Sequence, residues 1–147
     1  MIAIGNDHAA YELKQEVIRH FQNQVFNDFG AHSSEPVDYP IYARQVCEAV
    51  LSGACATGIL LCGTGVGMSI AANRYPGIRA ALCRDTVTAV AAREHNDANV
   101  LVLGARVTDS ALVMEIINTF LNTAFTHEER HVRRLGMLND SDIRRLS

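Results

Sequence analysis

Ile59-Leu60-Leu61-Cys62-Gly63-Thr64-Gly65-Val66-Gly67 decides how this chain folds. Its apolar run reads as a buried strand, and Met68-Ser69-Ile70-Ala71-Ala72-Asn73 beyond it reads as a helix. Three alternating glycines in a strand-to-helix turn let backbone N–H groups converge on one point, where the helix N-terminus adds partial positive charge. An anion suits such a turn. The same field favours thiolate over thiol, so Cys62 at the end of the strand puts a base or nucleophile beside an anion-stabilising nest.

Outward from this turn the chain alternates. Ile2 to Gly5, Gln24 to Asp28, Gly58 to Leu61, Ile78 to Leu82 and Val100 to Leu103 are short apolar or β-branched runs bounded by turn or capping residues, which predicts five strands. Helical spacing occupies Ala10 to Phe21, Ile41 to Leu51, Val66 to Arg74, Thr86 to Arg93 and Ser110 to Leu121. Strands that are continuously apolar imply burial on both faces, hence a parallel sheet between two layers of helices. The expected fold is α/β, a Rossmann-like three-layer α/β/α sandwich on a five-stranded parallel sheet. Residues 1–147 form one expected domain, with 126–147, charged and outside the βα repeat, as a C-terminal helical appendage. Pro36 and Pro40 bracket an expected loop, Ser33 to Tyr39, whose Asp38 and Tyr39 cap or pack over the helix that follows.

Bulk properties narrow the function. The 147 residues are 48% apolar and 20% charged, with a net charge of -3, which argues for a soluble globular protein and against a nucleic-acid-binding field. Met1-Ile2-Ala3-Ile4-Gly5 lacks the basic start of a signal peptide, and no apolar stretch has the length of a membrane span, so a cytoplasmic protein with no membrane partner is expected. Cys47, Cys55 and Cys83 sit in apolar or helical contexts and read as core residues. Neither the cysteines nor the histidines show metal-ligand spacing, so no metal or cofactor is expected.

In open parallel sheets ligands bind beyond the carboxyl ends of the strands, and polar residues do gather there. Asn6-Asp7-His8 follows the first strand, Cys62-Gly63-Thr64 the third, Arg84-Asp85 the fourth and Gly104-Ala105-Arg106 the fifth. His95-Asn96-Asp97 instead precedes the fifth strand, at the opposite end. A second copy of the chain would have to bring it to the crevice, which predicts a dimer with a shared site.

Asp7-His8, Asp38-Tyr39-Pro40, the Cys62 to Gly67 turn, His95-Asn96 and Arg130-x-x-x-Arg134, in this order, make the chain resemble the type B ribose-5-phosphate isomerases, over almost its whole length. The resemblance implies metal-free interconversion of ribose 5-phosphate and ribulose 5-phosphate, in the pentose phosphate pathway, by a homodimer or a dimer of dimers. The wider family includes allose-6-phosphate and galactose-6-phosphate isomerases, which stand as alternative activities. A nucleotide-binding module is a further alternative, weakened because Met68 stands where the dinucleotide fingerprint needs glycine. A non-catalytic partner subunit is disfavoured by the presence of Cys62, Thr64 and His95 together.

The residues suit the implied chemistry. Proton transfer between carbons 1 and 2 of a sugar phosphate needs a base near neutral pH and a hold on the enediolate. Cys62 fits the base, since a helix N-terminus can bring a thiol from its ordinary ~8.5 toward the working range; the Thr64 hydroxyl and the N–H groups of Gly63, Gly65, Val66 and Gly67 fit the oxyanion. His95 matches the family's ring-opening residue, although alone it reads as solvated surface, and Asn96 can bond sugar hydroxyls. Arg130 and Arg134 share one helical face, which by spacing alone is a solvated basic face and by resemblance binds the phosphate. The resemblance adds Arg106 and His8 as phosphate or substrate contacts and Asp7 as a sugar contact, beside its plainer role as a helix cap. His20, His32, His127 and His131 match no role and read as surface residues.

Overall fold

A computed structural model describes residues 1–139. In chain order its elements are β1 (Ile2–Asn6), a 3-10 turn (His8–Ala10), α1 (Tyr11–His20), β2 (Phe26–Asp28), α2 (Tyr39–Leu51), β3 (Thr57–Cys62), α3 (Val66–Ala72), β4 (Ala80–Leu82), α4 (Thr86–Glu94), β5 (Val100–Gly104), α5 (Ser110–Asn122) and α6 (Glu129–Asn139). The five expected strands and five expected helices all form. The expected C-terminal appendage contains α6, and its residues 140–147 lie outside the described part.

All pairings are parallel and the strand order is β2-β1-β3-β5-β4. Right-handed crossovers then dictate which face each helix covers. Steps toward β4 (β2 to β3, β3 to β4) put α2 and α3 on one face, where Ala43, Val46, Cys47, Met68 and Ala72 pack with Ala3, Leu60, Cys62, Val100 and Val102. Steps the other way put α1 and α4 on the opposite face, where α5 joins them; Leu13, Val17, Ala89, Ile116 and Phe120 pack there with Ile4, Ile59, Leu61, Leu101 and Leu103. Alternate residues of β3 and β5 therefore feed two separate cores, which is why both strands read as unbroken apolar runs. Cys47, Cys55 and Cys83 are free and buried in these cores.

Both edge strands are shorter than their apolar runs. Arg79 is lost to the β4 ladder because Asn99 intercepts it: the Arg79 N–H donates to Asn99 Oδ1 at 2.8 Å, while Asn99 Nδ2 donates to the Gly77 carbonyl at 2.8 Å. α3 stops at Ala72 for a related reason. The Asn73 amide turns to the exposed edge of β4, with Nδ2 donating to the Ala80 carbonyl and Oδ1 accepting the Ala80 N–H, both at 2.9 Å.

On the other edge, Lys14 is fully buried and donates to Asp28 Oδ1 and to the Ala31 carbonyl, each at 2.8 Å. Asp28 Oδ1 also accepts the Gly30 N–H at 2.9 Å. The segment held this way continues beside β1: Asn6 N–H donates to the Gly30 carbonyl at 2.6 Å and Ala31 N–H to the Asn6 carbonyl at 2.7 Å. A buried ammonium thus fixes the carboxyl end of β1, immediately before Asp7.

Candidate active site

After β1 the chain leaves toward one face of the sheet, after β3 toward the other, and after β5 back to the first. The carboxyl end of β3 is consequently flanked by two crevices, the usual place for a ligand in an open parallel sheet. Cys62 is the last residue of β3, 5% exposed and in register with Gly104 of β5. Gly65 has φ of +81°, the left-handed conformation that turns the chain into α3, and this geometry aims its N–H back at Cys62 Sγ, 3.2 Å away.

The rest of the turn also presents donors. Thr64 Oγ1 accepts the Val66 N–H at 3.3 Å, which leaves the hydroxyl hydrogen to donate outward. Gly67 and Met68 lie in the first turn of α3, where no intrahelical acceptor exists for their N–H groups. Gly104 allows the turn to lie against β5: a Cβ there would sit 2.5 Å from the Thr64 carbonyl carbon and 2.6 Å from its oxygen. Tyr39 covers Gly67, where a Cβ would meet its ring at 2.7 Å. This wall was not among the expected site residues, although the Asp38-Tyr39-Pro40 segment was legible.

Three more of the expected residues stand at the same carboxyl edge of the sheet. Arg106 is pinned by its N–H to the Gly63 carbonyl at 2.9 Å, and its guanidinium lies over Gly63, 3.3 Å from where a Cβ would stand. Asp7 is buried, donates its N–H to the Leu61 carbonyl at 3.1 Å, and accepts the Ala9 N–H at Oδ1 at 2.9 Å. It therefore caps the 3-10 turn rather than α1 itself. His8 Nδ1 accepts the Val37 N–H at 3.2 Å, which leaves Nε2 for another partner. A surface cleft of about 740 Å³ between α1 and α5 is lined by Glu16, Arg19 and Glu115 among others and includes none of these groups.

His95, Asn96, Arg130 and Arg134 gather elsewhere. His95 caps the C-terminus of α4, before β5 begins, and Asn96 lines a cavity of about 430 Å³ with Ala98 and Leu138 of α6. β5 runs from Val100 on that side to Gly104 beside Cys62, about 13 Å at the rise of a parallel strand. The two groups occupy opposite ends of the sheet. Arg130 and Arg134 are exposed on α6, and Arg130 pairs with Glu128 at 2.9 Å.

His131 corrects the sequence reading. It is 5% exposed, not a surface residue, and its ring stacks on that of His95 with centroids 4.5 Å apart and planes 17° from parallel. Burial lowers its pKa, and His95 and Arg130 beside it act in the same direction. The signal was present in the spacing: His131 and Leu135 fall at i and i+4 along α6, and both are buried.

The Ribose/Galactose Isomerase family profile matches residues 2–138. The ribose-5-phosphate isomerase B of Escherichia coli is 42% identical over 146 residues, 98% of this chain and 97% of the relative. Among solved structures, the Clostridium thermocellum ribose-5-phosphate isomerase B superposes with a TM-score of 0.93 at 46% identity, covering 97% of each chain. The type B ribose 5-phosphate isomerase of Trypanosoma brucei gives 0.90 at 49% identity, covering 94% of this chain and 95% of that one.

Proposed function

Because the chain belongs to the Ribose/Galactose Isomerase family, we infer that it interconverts ribose 5-phosphate and ribulose 5-phosphate. The observation that carries the mechanism is the Gly65 N–H aimed at Cys62 Sγ beside the glycine turn. As thiolate, Cys62 removes the proton from carbon 2 of the open aldose and returns it to carbon 1 of the enediolate. The developing oxyanion meets the Thr64 hydroxyl and the N–H groups of Gly67 and Met68, each well-placed donor being worth about 3 to 4 kcal/mol in such a site, whereas the Gly65 and Val66 N–H groups are engaged by Cys62 Sγ and Thr64 Oγ1. Arg106 and His8 stand at the same edge for the phosphate, and Asp7 for a sugar hydroxyl. Relatives at this identity named for ribose 5-phosphate disfavour the allose-6-phosphate alternative and the nucleotide-binding module.

The site is completed by a second copy of the chain. His95, Asn96, Arg130 and Arg134 carry the ring-opening, hydroxyl-binding and phosphate-binding chemistry of the reading, yet they lie at the far end of the sheet from Cys62. Two chains packed antiparallel about a twofold axis unite the halves twice. Val66, Ile70 and Val87, 50%, 61% and 76% exposed on the helices that flank the Cys62 edge, supply apolar surface for that contact. The described helices include none long and apolar enough to cross a membrane, and we place the enzyme in the cytoplasm with the other consumers of free sugar phosphates.

One experiment tests both halves. Purified protein should form ribulose 5-phosphate from ribose 5-phosphate in preference to the hexose 6-phosphates, and Cys62→Ala and His95→Ala should each be nearly inactive. Mixed in equal amounts and allowed to exchange subunits, the two dead variants should recover about a quarter of wild-type activity, since half the dimers then hold one intact site. No recovery, with exchange verified by mass, would refute the shared site. Full activity of Cys62→Ala would refute the assigned base.

A further inference from the structure

We propose that His131 is the positioning residue of His95, its ring face holding the His95 imidazole in the plane needed to open the furanose of the substrate. The inference rests on the reading of His95 as the ring-opening group. His95 is an exposed residue at a helix terminus, and such a side chain has no reason to keep one rotamer. Here it has one. The neighbouring ring is buried, nearly parallel and 4.5 Å away.

The contact is built from both sides. Thr126 donates its N–H and its hydroxyl to the Glu94 carbonyl at 3.3 and 2.9 Å, tying the entry of α6 to the last residue of α4, directly before His95. Arg130 Nε–H donates to His131 Nε2 at 3.4 Å, which makes that nitrogen an acceptor and leaves the ring proton on Nδ1. His131 is thereby fixed as a neutral ring, in keeping with the lowered pKa that burial imposes.

Furanose opening needs orientation more than strength. The O1 proton leaves as the C1–O4 bond breaks and C1=O1 forms, and O4 gains a proton, so the net proton count is unchanged. One imidazole can serve both ends only when its plane contains both oxygens in turn. His131 touches neither oxygen; it acts through His95.

The test separates ring opening from proton transfer at carbon. Ribulose 5-phosphate has no furanose to open, so exchange of its carbon-1 hydrogen with deuterated water, followed by NMR, reports the Cys62 step alone. In His131→Ala, turnover from ribose 5-phosphate should fall by about tenfold or more while deuterium exchange into ribulose 5-phosphate stays within about twofold. His131→Phe, which restores a flat face without a nitrogen, should recover at least about a third of wild-type turnover. Should the alanine variant fail to fold, His131→Leu fills the site without a flat face and carries the same expectation. Parallel loss of both activities would make the role merely structural and overturn the proposal, as would unchanged turnover or a phenylalanine variant as poor as alanine. A His95→Ala control that still converts ribose 5-phosphate normally would overturn the parent reading of His95 instead, and this inference with it.

Discussion

Gly104→Ala should disable the enzyme from a position that touches no substrate. Gly104 is the last residue of β5, paired with Cys62, and is absent from the positions of positive φ, so alanine fits its backbone without torsional strain. The obstacle is steric alone. The new Cβ would stand 2.5 Å from the Thr64 carbonyl carbon and 2.6 Å from its oxygen, whereas ordinary contact begins at 3.4 Å. Both atoms are backbone and cannot rotate away, so the turn must retreat by roughly 0.9 Å to reach van der Waals distance. That is a displacement of the Thr64 hydroxyl and the Gly65 N–H relative to Cys62, and a misplacement of about 1 Å in a catalytic site costs on the order of 100-fold in rate. The stability penalty of overpacking should be smaller in consequence, about 1 to 3 kcal/mol. Steady-state turnover of ribose 5-phosphate and urea unfolding, measured on the same preparations, check the two figures. Gly136→Ala is the matched control: nothing lies within 4 Å of its Cβ, and in the interior of α6 it should add about 0.5 to 1 kcal/mol. A folded Gly104→Ala enzyme with wild-type kcat would refute the view that the turn's placement against β5 sets the rate.

Two further expectations concern stability. Lys14→Met should cost about 3 kcal/mol in urea unfolding, since it removes one partner of a buried pair and strands the Ala31 carbonyl; retained stability would deny the ammonium its structural role. Burial pushes the thiols of Cys47 and Cys83 up to about 11 from the ordinary 9.0. Their folded pKa is raised, so the stabilisation is whole below about pH 9 and declines as pH rises toward 11, on the order of 2 kcal/mol per thiol. Urea midpoints at intervals across that range should fall, and the double replacement by alanine should flatten the slope.

Much of this molecule can be read before folding it, for reasons that differ by element. β3 and β5 are legible because both faces of each strand are covered, which leaves no polar position to confuse the pattern. The ends of β2 and β4 are not, since an edge strand stops where side chains such as Asn99 capture its backbone, and nothing in local apolar spacing foretells that capture. The Cys62 turn announces itself through glycines that have little use elsewhere. His131 stays hidden in a charged stretch because Glu128, Arg130, Arg133 and Arg134 mask the short inward pair that His131 and Leu135 make. The separation of His95 from Cys62 is legible by topology, because a residue before a parallel strand and one after its neighbour must lie at opposite ends.

The Asn73 amide, laid against Ala80, bears on how the protein behaves in a crowded solution. A parallel sheet that ends in a bare strand offers its unpaired N–H and C=O groups to any other extended chain, and pairing at such an edge can propagate from molecule to molecule. Asn73 presents one donor and one acceptor at the spacing of a peptide group and so behaves as a single residue of a missing sixth strand. At Ala80 the sheet ends on a side chain that cannot be extended, so the residue that terminates α3 also blunts this edge against pairing with another chain.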